Sequence, residues 1–165
     1  MYQASVPVFV DGLTTLKPLL QKGEAFAQET GADPASLVEA RLAPDMLTLI
    51  GQVQRASDTS KLSIERLTGV PSPKLEDSEK TFADLYGRID RTLAYLEKFA
   101  PQQLEGAETR TVELKLRDFS PVFTGASYLL TFALPNFFFH ITTAYDILRH
   151  KGVMIGKRDF LRLKG

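Results

Sequence analysis

Apolar residues recur at helical spacing in four long segments of the chain, and this pattern predicts an all-α fold built as a four-helix bundle. In the first segment Ser5 and Pro7 form a helix start, and Gly31 follows the expected last residue, Thr30. Pro18 lies inside this helix. We expect a bend there, because proline cannot donate the helical backbone hydrogen bond.

The second and third long helices are separated by a proline-rich connection. The second is predicted to open at Pro44, with Asp45 in its first turn, and to end before Gly69. Ser78 is the predicted cap of the third helix. The connection between them, residues 70–77, is long enough to cross the bundle instead of turning back tightly.

The last part of the chain begins with a strand pattern and continues as a long helix. Residues 111–116 alternate polar and apolar side chains, and we expect them to pair with residues 120–123 as a small β-hairpin. The last helix is predicted over residues 126–149, with Gly152 just beyond its end.

This last segment contains no charged residue between Asp118 and Asp146. Its length would suffice for a membrane span, but Asn136 and His140 would be costly in lipid. A central bundle helix is the favoured interpretation, because the other helices are amphipathic and need a buried partner. Apolar residues cover more than one side of it, so a homodimer through the last helix is also predicted.

Composition narrows the class of protein. The 165 residues are 44% apolar and suit one domain, residues 1–165. Lys plus Arg and Asp plus Glu both number 20, and this balance argues against nucleic-acid or anionic-membrane partners. The chain has no cysteine, which excludes disulfides and thiolate chemistry. No signal-peptide pattern opens the chain, so we expect a cytoplasmic protein.

Several strings of residues resemble an uncharacterised bacterial domain-of-unknown-function family in the DinB/YfiT-like superfamily of four-helix bundles. The longest is FALPNFFFHITTAYDILRHKGV, residues 132–153, and the others are ARLAPDM, QVQRASD, KTFADL and GKRDFL. The resemblance implies an up-down-down-up bundle and frequent homodimers. It also implies a nickel or zinc ion held by three histidines, one on the second helix and two in an H-x-x-x-H pair on the last. Some relatives are thiol-dependent transferases or hydrolases.

The chain departs from this histidine pattern. His140 and His150 are its only histidines, and ten residues of helix place them about 80° apart and nearly three turns from each other. Pairing at i, i+4 would bring His140 together with Ala144 or Asn136. The second helix offers Asp45, Gln52 and Asp58 in place of a histidine.

The candidate site therefore consists of Asp45, Gln52, Asn136 and His140. His140 has three interpretations: a buried ring bonded to a second-helix side chain, part of a metal-free pocket for a small molecule, or a weak candidate metal ligand. Asn136 either faces that pocket or binds backbone groups freed by Pro135.

Polar residues of the second helix have a structural interpretation as well. Gln52, Arg55 and Thr59 share one face, and Asp58 and Lys61 are spaced i, i+3, so a solvated, salt-bridged surface explains them.

The functional prediction is an uncharacterised bundle protein that binds a small molecule near His140, without a tightly bound cofactor. The alternative is a degenerate DinB-type transferase or hydrolase that uses His140 as the catalytic residue with a nickel or zinc ion.

Overall fold

The computed structural model describes residues 1–115 and 118–163. Its helices are α1 (Val6–Thr30), α2 (Pro34–Val38), α3 (Leu49–Thr68), α4 (Phe82–Leu96), α5 (Gly125–Ser127), α6 (Leu134–His150) and α7 (Lys157–Phe160). Strands β1 (Thr111–Glu113) and β2 (Val122–Thr124) form an antiparallel pair with Val112 opposite Phe123. A π-helical turn, Tyr128–Ala133, joins α5 to α6, so residues 125–150 form one long helix. Leu116, the predicted end of the first strand, lies outside the described residues.

Local signals explain where α1 begins and ends. Ser5 is the N-cap residue, Pro7 occupies the first turn, and Gly31 closes the helix with φ of 72°, a left-handed conformation that favours glycine. The predicted limits of this helix are confirmed.

Two other predicted helix starts are wrong. Helix α3 begins after Thr48, whose side chain accepts a hydrogen bond from the Gly51 N–H, and not at Pro44. Helix α4 begins after Thr81, which forms a capping box with Asp84, and not after Ser78. In both cases the side chain of a threonine accepts a hydrogen bond from the backbone N–H three residues later, and the helix begins after that threonine.

Ion pairs and hydrogen bonds between helices give their directions. Lys17 on α1 pairs with Asp90 on α4. Further along α1, Glu24 accepts a hydrogen bond from Tyr86, which precedes Asp90. Helices α1 and α4 are therefore antiparallel.

Helices α3 and α4 run in the same direction. Arg88 pairs with Asp58 near the middle of both helices. At their carboxyl ends, Tyr95 donates a hydrogen bond to the carbonyl of Val70. The connection between two parallel neighbours must traverse the bundle, as the proline-rich segment does.

The last helix runs parallel to α1. Phe9 packs edge-on against Phe137 with ring centroids 5.0 Å apart, and Gly23 approaches Leu148 further along both helices. Together these directions give the up-down-down-up bundle with a small hairpin before the last helix, and the predicted fold class is confirmed. In the described part of the chain no helix is long and apolar enough to cross a membrane.

Candidate functional site

The last helix and α3 are antiparallel neighbours, and polar side chains join them along their contact. Gln52 lies near the start of α3 and His140 near the middle of α6. Oε1 of Gln52 is 2.7 Å from Nδ1 of His140. The amide nitrogen of Gln52 donates to the carbonyl of Leu47 over 3.2 Å. This second bond orients the amide, so its oxygen faces the imidazole and Nδ1 carries the ring proton.

The second ring nitrogen of His140 is consequently an acceptor. With the proton on Nδ1, Nε2 holds a lone pair. Among the described residues, Arg88 Nε is the one fully buried side-chain polar atom without a hydrogen-bond partner. Since Nε2 of His140 has no partner in this part of the chain either, solvent reaches it, although the residue is only 8% exposed.

Burial sets the charge of this ring. It lowers the pKa of His140 from 6.5 to about 4, and the nearby positive charge of Arg55 acts on the pKa in the same direction. The imidazole is therefore neutral at pH 7. Phe139 packs edge-on against it with centroids 5.3 Å apart, and this phenyl ring is 54% exposed.

Asn136 lies one helical turn before His140 but has a different partner. Its Nδ2 donates to Oγ1 of Thr59 over 2.8 Å. The bond crosses to α3, whereas one of our interpretations had this amide serving backbone groups near Pro135. Asn136 and His140 therefore share the face that contacts α3, and each holds a different α3 side chain.

Asp45 does not join this group. Its side chain is exposed in the turn that precedes α3. The prediction placed Asp45 in the first turn of the second helix, but α3 begins only at Leu49. The carboxylate therefore lies outside the helix whose face contacts His140.

The π-helical turn aligns a further residue with this contact. In an unbroken α-helix at about 100° per residue, Tyr128 and His140 would point about 120° apart. A π turn holds more residues per turn and so rotates less per residue. Tyr128 reaches α3, where its hydroxyl accepts from Arg66 over 2.9 Å and lies 3.0 Å from Oγ of Ser63. The turn lies just before Pro135, which cannot donate a backbone hydrogen bond to the carbonyl of Thr131.

A buried charge cluster between α3, α4 and the crossover is the largest feature that sequence reasoning missed. It centres on Arg88, which has no exposed side-chain surface. Arg88 contacts Asp58 at 2.8 Å, Glu79 at 3.0 Å and Asp77 at 3.1 Å. Lys61, also buried, pairs with Asp58 at 3.1 Å. Our interpretation of Asp58 and Lys61 as a solvated surface pair is wrong, because their side chains are only 18% and 6% exposed.

Arg55 connects this cluster to the histidine. It pairs with Asp58 at 3.2 Å and with Asp77. Its guanidinium is also close enough to His140 to act on the pKa of the ring. The site is thus a neutral imidazole beside a cation that is already matched by carboxylates.

The residues at this position do not suit the three-histidine metal centre that the resemblance implies. Gln52 Oε1 is occupied by His140 Nδ1, and the Asn136 amide is held by Thr59. One imidazole nitrogen remains, beside the positive Arg55, and nickel and zinc favour several imidazole or thiolate ligands. Residues 1–115 and 118–163 contain no group of three or more His, Cys, Asp or Glu side chains arranged to hold an ion.

Surface cavities lie elsewhere on the molecule. Five cavities of about 190 to 490 Å³ are present, and His140 lines none of these five. The predicted pocket near His140 remains a prediction.

The helix directions, the crossover and the polar contact of α3 with the last helix define a DinB-like four-helix bundle. The crystal structure of a DinB family member protein from Shewanella denitrificans is similar to this chain, with 42% sequence identity and a TM-score of 0.90. The match covers 97% of this chain and 90% of that one. The sequence profile of the domain of unknown function DUF1993 matches residues 1–161, so the chain belongs to the DUF1993 family.

These comparisons confirm the resemblance that the sequence strings indicated. No curated protein matches the chain.

Proposed function

We propose that this protein binds a small molecule at Nε2 of His140, with the ring acting as a hydrogen-bond acceptor. The observation that carries the proposal is the relay from Leu47 through Gln52 to Nδ1 of His140. Because the proton is fixed on Nδ1, Nε2 is an acceptor with a defined direction. Small-molecule sites obtain specificity from a few polar groups that are held in such fixed positions.

The low basicity of the His140 ring favours ligand binding over proton transfer as its role. A general base or acid works best when its pKa lies near the working pH. The pKa of His140, about 4, leaves almost no imidazolium at pH 7 and makes the neutral ring a weak base. A neutral acceptor still binds an N–H or O–H donor well, so the ligand class we favour is a molecule that presents such a donor beside an apolar group. Phe139 and Leu47, both partly exposed, supply apolar surface on the neighbouring segments.

A thermal-shift screen of amides, alcohols and thiols tests this proposal. Ligands that stabilise the wild type should lose their effect in His140→Phe, which keeps a ring but removes the acceptor. The chain supplies a matched control in His150→Phe, since His150 is exposed at the end of α6. Equal stabilisation of both variants would refute a role for His140.

Metal analysis of protein purified without a histidine tag addresses the alternative function. Stoichiometric nickel or zinc that disappears in His140→Phe and persists in His150→Phe would favour the metal-dependent transferase or hydrolase. Traces of metal that do not depend on His140 would leave the binding function in place.

We also propose that the protein is a homodimer through the last helix. The last helix, residues 125–150, exposes Leu130 at 58% and Phe138 at 40%. No charge interrupts this surface until Asp146. Large exposed apolar side chains on a helix are typical of subunit contacts.

The cytoplasmic location of the protein stays a prediction.

A further inference from the structure

The crossover and α4 enclose a groove that is separate from the His140 site. Its volume is about 430 Å³, within the roughly 300–1,000 Å³ range of small-molecule sites. Pro71 and Pro73 of the crossover form one wall, and Ala94 and Tyr95 of α4 lie on the other side. We refer to this space as the crossover groove.

Two cations lie along the α4 side of the groove. Arg91 lies on α4 and Lys98 in the turn just beyond its end, and both line the groove together with Ala94 and Tyr95. The described residues that line the groove include no carboxylate.

Arg91 is held in place but not fully neutralised by its neighbours. Its Nε donates to the Gly87 carbonyl over 3.2 Å, which holds the stem, and a terminal nitrogen lies 3.9 Å from Glu79. Glu79 is already held by Arg88 at 3.0 Å and by Gln54 at 2.9 Å. Arg91 is 60% exposed, so most of its charge faces the solvent above the groove.

The proline wall is fixed in place by bonds behind it. Both the backbone N–H and the hydroxyl of Ser72 donate to Oε2 of Glu65, over 3.0 and 2.5 Å. Tyr95 donates to the Val70 carbonyl over 2.9 Å. Further along the crossover, Arg88 donates to the Glu76 carbonyl over 3.1 Å. These hydrogen bonds and the fixed φ angles of the two prolines hold this wall in one conformation. Binding a ligand therefore costs little conformational entropy in the crossover.

We propose that the crossover groove binds an amphipathic organic anion. An apolar body fits between the prolines and the Ala94–Tyr95 surface, and a carboxylate, sulfonate or phosphate group pairs with Arg91 or Lys98. Glu65 lies behind Ser72 and accepts the Ser72 donors, so the groove itself presents cations. This inference is independent of the proposed function, because no residue is shared with the His140 site.

The probe for this proposal is 1-anilinonaphthalene-8-sulfonate, an aromatic sulfonate of suitable size, used on the folded wild-type chain. We expect saturable binding, with amide shifts in an NMR titration confined to residues 70–75 and 91–98. The double variant Arg91→Gln/Lys98→Gln should weaken binding at least about tenfold. The matched double variant Lys80→Gln/Lys151→Gln removes two exposed charges elsewhere and should change binding by less than about twofold.

A second variant keeps the charges and fills the space. Ala94 is exposed, so Ala94→Trp should leave the fold intact and abolish binding of the sulfonate. The neutral analogue N-phenyl-1-naphthylamine should bind the wild type and the Arg91→Gln/Lys98→Gln variant equally. Absence of sulfonate binding to the wild type, amide shifts centred on His140, or unchanged affinity in either groove variant would overturn the proposal.

Discussion

Gln52 holds the imidazole of His140 from inside the bundle, with its amide oxygen 2.7 Å from Nδ1. An amide oxygen accepts one proton and carries no charge, so it fixes the tautomer without stabilising the imidazolium. A carboxylate in the same place would do the opposite. The glutamine therefore leaves burial as the main influence on this ring, and burial lowers the pKa of His140 and keeps the imidazole neutral at pH 7.

The first prediction concerns pH. The folded-state pKa of His140 is about 4 and the ordinary value is 6.5, so the unfolded chain binds more protons between these values. Stability should consequently fall as the pH drops from 6.5 towards 4, by about 1–2 kcal/mol at pH 5 from this ring alone. Urea unfolding at pH 7 and pH 5 measures the loss. The variant His140→Phe should lack that part of the pH dependence, and an identical pH dependence in the two proteins would contradict the assignment.

A second prediction concerns Arg88. Removing this guanidinium leaves Glu79 buried without its main partner, and loss of one member of a buried ion pair costs about 3–5 kcal/mol. Arg88→Met should therefore lower the free energy of unfolding by that amount in chemical denaturation. The control Lys17→Gln removes a cation from an exposed pair with Asp90 and should cost less than about 1 kcal/mol. Similar costs for both variants would mean that the cluster contributes no more than a surface pair.

A third prediction uses two glycines inside helices. A Cβ added at Gly12 would lie 2.4 Å from Cε1 of Phe137, whereas one added at Gly87 meets nothing within 4 Å. Gly12→Ala should destabilise the bundle by about 1–3 kcal/mol through overpacking. Gly87→Ala should stabilise it by up to about 1 kcal/mol, because alanine favours the helix. If both alanine variants had higher melting temperatures than the wild type, Phe137 would not restrict the side chain at position 12.

A fourth prediction concerns assembly. Light scattering at micromolar concentration should give the mass of a dimer for the wild type. Leu130→Glu/Phe138→Glu places two charges on the outward side of the last helix and should give a monomer, because the charges would have to be desolvated. Met154→Glu, at a position 78% exposed and outside that helix, should stay dimeric. A monomeric wild type would refute the homodimer.

The helix pattern could be predicted from the sequence because apolar spacing and glycine ends are local signals. Gly31 and Gly69 end their helices in the left-handed conformation at the predicted places. The starts were harder to predict, since Pro44 and Thr48 are both plausible first-turn signals. The structure decides for Thr48, where the side chain accepts from the Gly51 N–H.

The candidate site was predicted in part. Gln52 and His140 do meet, as one of the three interpretations, a buried ring bonded to a second-helix side chain, expected. The buried cluster around Arg88 was beyond reach, because its burial depends on the path of the crossover over α4. A charged residue in a helix pattern is exposed unless a distant segment covers it, and no local signal marks that coverage.

Parallel alignment of α3 and α4 has an electrostatic consequence for the whole bundle. Two neighbouring helices that point the same way bring their positive amino ends together, and the two dipoles repel side by side. Asp84 lies in the first turn of α4, where its carboxylate accepts from the Thr81 N–H. This carboxylate thus offsets part of a dipole repulsion that is absent between the antiparallel neighbours of an up-and-down bundle.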